Sequence, residues 1–401
     1  VVRSRVIDDP GPLSDLLPAD GLLWQRRGDG MAAWGEVARW ELTGPTRFVD
    51  AASTWRQALA GAVVRDDAAA PGSGPVAFGS FTFTDAGTSV LLVPEVVVGR
   101  RDGVSWMTTI SLGDRVPSAE LPRPQHPPAP TGEVTFHPGT LSERAWSEAV
   151  SEAVTRIAAG PLEKVVLARD VVARSERRVD ARRPLRQLAD QYPGCWTFHV
   201  DGLLGATPEM LVRLEGGLMT SRVLAGTIQR TGDDEHDLAL AASLARSSKD
   251  LEEHELAVRS VADALAAHGA LNVPETPFVL HLPNVMHLAT DVTGVVRDGR
   301  TSLELVADLH PSAAVCGTPT ALAQATIAEL ERMDRGRYAG PVGWMDADGD
   351  GEWALALRCA QQEDPHTLRL FAGCGIVAGS DPLDELAESD AKLTPMREAL
   401  G

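Results

Sequence analysis

The sequence predicts an α+β protein built on large antiparallel sheets, and three observations carry that reading. Runs of β-branched and aromatic residues recur between glycine-containing turns, in the manner of hairpins. Segments with helical spacing fall between groups of such strands, which favours α+β over a regularly alternating parallel sheet. Neither GxGxxG nor GxxxxGK(S/T) occurs, so no phosphate-binding fingerprint of a parallel nucleotide fold contradicts it.

Residues 1 to about 115 mix short apolar runs with turns: GLLWQRRGDGMAAWGEV, GPVAFGSFTF and TSVLLVPEVVVGRRDGVSWMTTI. The last is expected to form two strands of a hairpin around Gly99–Gly103. Trp24, Trp34 and Trp106 could cage a ligand, but packing in a sheet core is the simpler expectation. Six prolines in PSAELPRPQHPPAPTG, residues 117–132, indicate an extended connection. Trp146, Val150, Ala153, Val154 and Ile157 then recur at helical spacing until Gly160. In the strand EKVVLARDVVA, Lys164, Val166 and Ala168 share one face, and Val165 and Leu167 the other. A lysine in a strand usually guards a sheet edge or snorkels to water; a catalytic role is the alternative. Strands around TFHVDGLLGAT and MLVRLEGGLMTSRVLAG follow, then helices over 237–246, 250–267 and 319–333. Strands in GPVGWMDADGDGEWALALRCA and TLRLFAGCGIV precede a terminal helix after Ser380, with Asp381 as N-cap and Pro382 in the first helical position.

The 401 residues, 44% apolar and 23% charged, suffice for one large or two ordinary domains. A formal charge of -19 argues against nucleic-acid and anionic-lipid partners, and no apolar run is long enough to span a membrane. The 4 cysteines include no CxxC pair, so neither a disulfide framework nor a cysteine zinc site is expected, and a reducing, cytoplasmic setting fits. The N-terminus lacks the apolar run of an export signal.

In SSKDLEEHELAV, Asp250 and Glu253 lie on one helix face, where like charges need solvent or a cation. The terminal helix repeats the device with Glu385, Glu388 and Lys392 on one stripe, beside the glycines of FAGCGIVAG. The simpler reading of each is a solvated acidic face, weakened at the terminal helix by those glycines, which allow close backbone approach. If the two faces met, carboxylates without histidine or thiolate would suit Mg²⁺ better than zinc. Arg358, read as a strand residue alternating with Ala356 and Ala354, has room to reach a carboxylate. Glu209, after a turn proline at a sheet rim, is a general-acid candidate or a surface carboxylate. DADGDGE lacks EF-hand spacing and reads as an acidic hairpin turn, and His281, His287 and His310 are too dispersed to declare a zinc site.

Nine stretches in order then carry a resemblance: EKVVLAR, GATPEMLVRL, LAGT, KDLEEHELAV, HLPNVMHLATDVTG, LHPSAAVCGTP, RGRYAGPVGW, GEWALALR and AGCGIVAGSDPLDELAESDAK. Together they resemble the chorismate-utilising enzymes, in particular the isochorismate synthases. The resemblance implies two sheets sandwiched by helices in α/β/β/α layers. It divides the chain into a variable segment over 1–116 packed on the core, a connection over 117–135 and a catalytic core over 136–401. It implies Lys164 as the base that activates water and Glu209 as the acid that protonates the departing hydroxyl. Glu253 and Glu388 match the principal Mg²⁺ ligands, and Asp250 and Glu385 the outer carboxylates; Asp250 replaces the longer glutamate of some relatives. Tyr338 and Arg358 match residues that hold the enolpyruvyl carboxylate, with the backbone at Gly373 and Gly375 assisting. Thr227, His287 and Lys392 match other pocket positions.

The implied reaction adds water at C2 of chorismate with loss of the C4 hydroxyl, giving isochorismate. Anthranilate synthases usually carry glutamine where Lys164 stands, so the lysine points to water, not ammonia, and to no obligate glutamine amidotransferase subunit. A monomer is expected. Salicylate synthases share the lysine and go on to eliminate pyruvate, which is the alternative; a noncatalytic chorismate sensor is the alternative outside enzymes. The product would suit menaquinone or siderophore synthesis.

Overall fold

The apolar runs assemble into two sheets, of 13 and 10 strands, in this computed structural model, which describes residues 1–113 and 127–401. The larger sheet runs from Val134–Pro138 through Lys164–Ser175, Thr367–Ile376, Cys359–Asp364, Leu203–Thr207 and Trp196–Val200 into strands of the N-terminal segment, beginning with Leu22–Arg26. The smaller sheet runs from Gly269–Asn272 through Val285–Val296, Leu218–Gln229, Met210–Glu215, Gly351–Leu355 and Pro341–Asp346 into Val76–Ser80, Ser89–Val93 and Ala38–Leu42. Residues 1–113 therefore extend both sheets by hydrogen-bonded pairing, with Trp24 opposite Phe198 and Phe78 opposite Trp344. The part of the proline-rich connection over 117–126 lies outside the described residues. The described pairings are antiparallel except that of Val2–Ile7 with Val64–Asp66.

Alternation along the strands explains how the layers close. Trp24, Val165, Leu167 and Phe198 of the larger sheet join Phe78, Val212 and Trp353 of the smaller one in a single core, each at most 2% exposed. Trp106 belongs to the same core. The other face of the larger sheet, with Val171, Leu204 and Leu370, is covered by Leu185 and Leu188 of Arg182–Gln191 and by Met396 and Leu400 of Pro382–Leu400. Burying each such side chain contributes roughly 1.5–3 kcal/mol. The result is an α+β fold of two large antiparallel sheets flanked by helices. Among the described residues no helix is long and apolar enough to cross a membrane.

Three local expectations need correction. The stretch over 88–110 forms three strands, Ser89–Val93, Val96–Arg101 and Val104–Ile110, because Pro94 cannot donate to a ladder and the chain changes sheet there. The hairpin turn itself is Asp102-Gly103, both in the left-handed region. Lys164 is no edge or snorkelling residue: the short strand Gly317–Thr318 pairs beside it and the side chain is 0% exposed. Arg358 lies outside the strands, in left-handed backbone at φ 49° between Gly351–Leu355 and Cys359–Asp364. DADGDGE does form the hairpin turn between Pro341–Asp346 and Gly351–Leu355.

Candidate active site

The site gathers where the chain changes sheets. It leaves the larger sheet after Thr207, enters the smaller one at Met210, and returns between Leu355 and Cys359. The two crossings lie side by side: Leu355 N–H donates to Glu209 O at 3.2 Å, and Ala206 N–H to Arg358 O at 3.3 Å. A residue at such a crossing is released from strand alternation, and Glu209 and Arg358 both line the cavity between the sheets. Burial pushes the Glu209 carboxyl up to about 7, against the opposing pull of the Leu224 N–H, Lys164 and Arg358. A carboxyl in that range can hold a proton near neutrality and deliver it.

Ser247 caps the helix Ser248–Ala266, accepting from Asp250 N–H at 3.3 Å. Glu253 shares the inward stripe of Ala257, Val261 and Leu265, and so is buried by the helix's own periodicity. Its Oε2 accepts from Gly226 N–H at 3.1 Å, and its Oε1 lies 3.2 Å from Lys164 Nζ. Gly226 sits in a bulge with φ 75°, where a Cβ would come within 2.9 Å of the Asp250 Cβ. Burial works against charge on Glu253, but Lys164 and Lys392 outweigh it and hold the carboxyl below its usual range. Burial pushes Asp250 up, and Glu253 and Glu388 add to this.

The second acidic helix, Pro382–Leu400, starts as its sequence requires: Asp381 accepts from Leu383 and Asp384 N–H, and Pro382 occupies the first position. It carries Glu385, 1% exposed, and Lys392, whose Nζ donates to Gly373 O at 2.9 Å and pairs with Glu388. Burial and Glu388 push Glu385 up to about 7, although Lys249 Nζ lies 2.6 Å from its Oε1. Two glycines of the strand Thr367–Ile376 leave room for site groups: Gly375 for Glu253 and Gly373 for Tyr338. A Cβ on Gly375 would stand 1.9 Å from Glu253 Oε1, and one on Gly373 would stand 3.1 Å from the Tyr338 hydroxyl. The terminal helix reaches the same strand through the Cys374 thiol, 3.3 Å from Glu385 O, and through Lys392, and Asp250 feels the charge of both Glu253 and Glu388.

His287 joins this cluster to Arg358. The guanidinium can only donate, and its Nη2 lies 3.0 Å from His287 Nε2, so the ring proton belongs on Nδ1. There Thr227 Oγ1 is at 3.1 Å and Gly226 O at 3.3 Å. Burial, then Arg358 and Lys392, hold His287 well below its usual range, which keeps the imidazole neutral. Tyr338 stacks on Phe371 at 5.0 Å between ring centres, and burial raises its hydroxyl.

Glu209, Thr227, Glu253, His287, Tyr338, Arg358, Gly373, Gly375 and Lys392 all line one cavity. Lys164 is buried behind that lining, while Asp250, Glu385 and Glu388 flank it through Glu253 and Lys392. Glu385, Glu388 and the Cys374 thiol place ligand atoms within 4.8 Å of one another. Burial raises the Cys374 thiol well above its usual range, so it is a poor thiolate donor and the carboxylates define the cluster. Such an oxygen set fits a hard dication such as Mg²⁺.

Sequence reasoning did not single out Lys249 or the buried Arg335–Glu331 pair. The signal for Lys249 was available: the chain has only three lysines beside 34 arginines, and all three reach this cluster. Arg335 donates to Val166 O and Val315 O, each at 2.8 Å, while Glu331 accepts from Ala168 N–H at 2.7 Å, so the pair clamps the Lys164 strand. Nothing local in RGRYAG reveals those partners.

Comparison with known proteins places the fold and the sequence in one family. The model of the chorismate binding enzymes matches residues 18–401. Isochorismate synthase DhbC of Bacillus subtilis is 41% identical over 281 residues, covering 67% of this chain and 70% of that one. The salicylate biosynthesis isochorismate synthase of Pseudomonas aeruginosa is 33% identical over 410 residues, covering 94% and 84%. Among solved structures, MenF, the menaquinone-specific isochorismate synthase from Escherichia coli, superposes with a TM-score of 0.81 at 26% identity, covering 100% of this chain and 95% of that one. The chain belongs to the chorismate-utilising enzyme family, alongside the isochorismate synthases.

Proposed function

We propose that the chain is a Mg²⁺-dependent isochorismate synthase, adding water at C2 of chorismate as the C4 hydroxyl departs. The observation that carries the reading is the meeting of a buried lysine, a buried carboxyl able to hold a proton near neutrality, and two acidic helices around one cavity. Lys164 Nζ, acting as the free amine, accepts a proton from the attacking water and becomes the ammonium as the C2–O bond forms. Glu209 delivers its proton to the C4 oxygen, so that water leaves instead of hydroxide and the ring double bonds shift. One water enters and one departs, and no redox step is involved. Arg358 and Tyr338 hold the enolpyruvyl carboxylate, with backbone at Gly373 and Gly375 beside them; Arg358 is aimed by neutral His287, itself held by Thr227. Glu253 and Glu388 would hold the metal, with Asp250 and Glu385 as outer carboxylates, while Lys392 pairs with Glu388. Bound Mg²⁺ supplies charge neutralisation for the ring carboxylate in a pocket otherwise rich in acid groups. Because water is the nucleophile, no ammonia-supplying subunit is called for.

The test is incubation of the purified chain with chorismate and Mg²⁺, followed by separation of products. Isochorismate alone supports the reading. Equal amounts of salicylate and pyruvate would replace it with the salicylate synthase, an aminated product with ammonia would overturn both, and binding without turnover would leave a sensor.

A further inference from the structure

We propose that Lys249 is the resident counter-cation of the carboxylate cluster, and that its ammonium opposes a divalent ion for the same acid groups. The proposal rests on the Mg²⁺ reading above and adds a residue to it. Elsewhere the described ion pairs of this chain use arginine or histidine; lysine appears at three positions only, each paired with a glutamate here. Arginine would grip a carboxylate bidentately in a planar fork, whereas an ammonium is a compact point charge on a flexible stem. That chemistry suits a cation that has to yield.

Access singles out Lys249 among the three. Its side chain is 31% exposed, against 0% for Lys164 and 10% for Lys392, so it alone can swing into water without being stripped of solvation. Its partner Glu385 is 2% exposed as a side chain and cannot follow it out. The ammonium also feels Glu388 and Asp250, so it is placed among the carboxylates that would face the ion. A dication brought to them meets this positive charge at short range, in surroundings where water screens poorly. Lys249 therefore weakens metal affinity and steadies the cluster before the metal arrives.

The experiment is calorimetric Mg²⁺ titration of the full chain without substrate, for the parent and for Lys249→Met, Lys249→Gln and Lys249→Arg. The Met and Gln variants are expected to bind Mg²⁺ about tenfold more tightly, and the Arg variant about as the parent does. Before Mg²⁺ addition the two neutral variants should melt lower than the parent and gain more on saturation, the opposite of what a merely structural defect would do. With ¹³C-labelled lysine, three side-chain signals are expected, assigned by single Lys→Arg changes, and that of Lys249 should move along the titration. If Met at 249 prevents folding, Gln, which keeps a hydrogen-bond donor for Glu385, decides. Weaker or unchanged Mg²⁺ binding in the neutral variants, with the parent binding normally, overturns the role of Lys249 alone. No Mg²⁺ uptake by the parent overturns both this role and the metal reading beneath it.

Discussion

Gly375→Ala tests the convergence of the two acidic helices directly. The added methyl carbon would lie 1.9 Å from Glu253 Oε1, 2.7 Å from its Cδ and 3.0 Å from Lys164 Cε. A carbon and an oxygen without a covalent bond settle at roughly 3.3 Å, so the carboxylate has to withdraw by about 1.4 Å. It cannot do so freely, because Oε2 is held by Gly226 N–H and the side chain lies on the buried stripe of its helix. Overpacking of this kind costs about 1–3 kcal/mol of stability. Displacing a ligand or reacting group by about 1 Å costs about 100-fold in turnover. The assay is Mg²⁺-dependent chorismate turnover with a parallel Mg²⁺ titration, and weaker metal binding together with about 100-fold slower turnover is expected. Gly379→Ala is the control, since nothing lies within 4 Å of its added carbon. A Gly375→Ala protein with the parent's metal affinity and turnover would show that Glu253 does not work from this position, and the site would have to be redrawn.

Further outcomes follow from the same geometry. Glu209→Gln should lower turnover by about 10²–10⁴ while sparing Mg²⁺ affinity, and in the parent kcat/KM should fall as pH rises through about 7, when Glu209 loses its proton. The stability effect has a definite sign: the folded-state value is raised above the unfolded one, so ionisation destabilises increasingly from about pH 4.5 to about 7, and denaturant melts at pH 8 should find Glu209→Gln more stable by a few kcal/mol. Glu331→Ala leaves buried Arg335 without its counter-charge and should cost about 3–5 kcal/mol in denaturant unfolding, with the Lys164 strand losing protection in hydrogen exchange. Arg358→Lys keeps the charge but loses the planar fork and the contact to His287, so KM for chorismate should rise about tenfold or more in steady-state kinetics.

Local chemistry made several features legible from the sequence. The cap at Asp381 depends only on residues within one helical turn, and the acidic stripes depend only on helical spacing. Strand alternation likewise put Val165 and Leu167 on one face and Val166 on the other, although both faces prove to be buried. Glu209 and Arg358 were harder to place, because each lies where a strand ends and alternation ceases to govern direction. Lys164 shows the same limit: a strand lysine reads as an edge residue until the pairing of Gly317–Thr318 beside it is known.

What the chain's own order of residues determined is therefore the fold class, the long helices and the cap at Asp381, the acidic and apolar faces and the family resemblance, since these follow from neighbours within a few positions or from motif order. Only the tertiary structure decided that Glu253 and the helix of Glu385 and Glu388 reach the same strand around Gly373–Gly375, that Lys164 is enclosed there, and that Lys249 reaches Glu385. The physical reason is that charge and burial act through space: a carboxylate's partner 136 positions away along the chain stands 2.6 Å from it, and no periodicity records that distance.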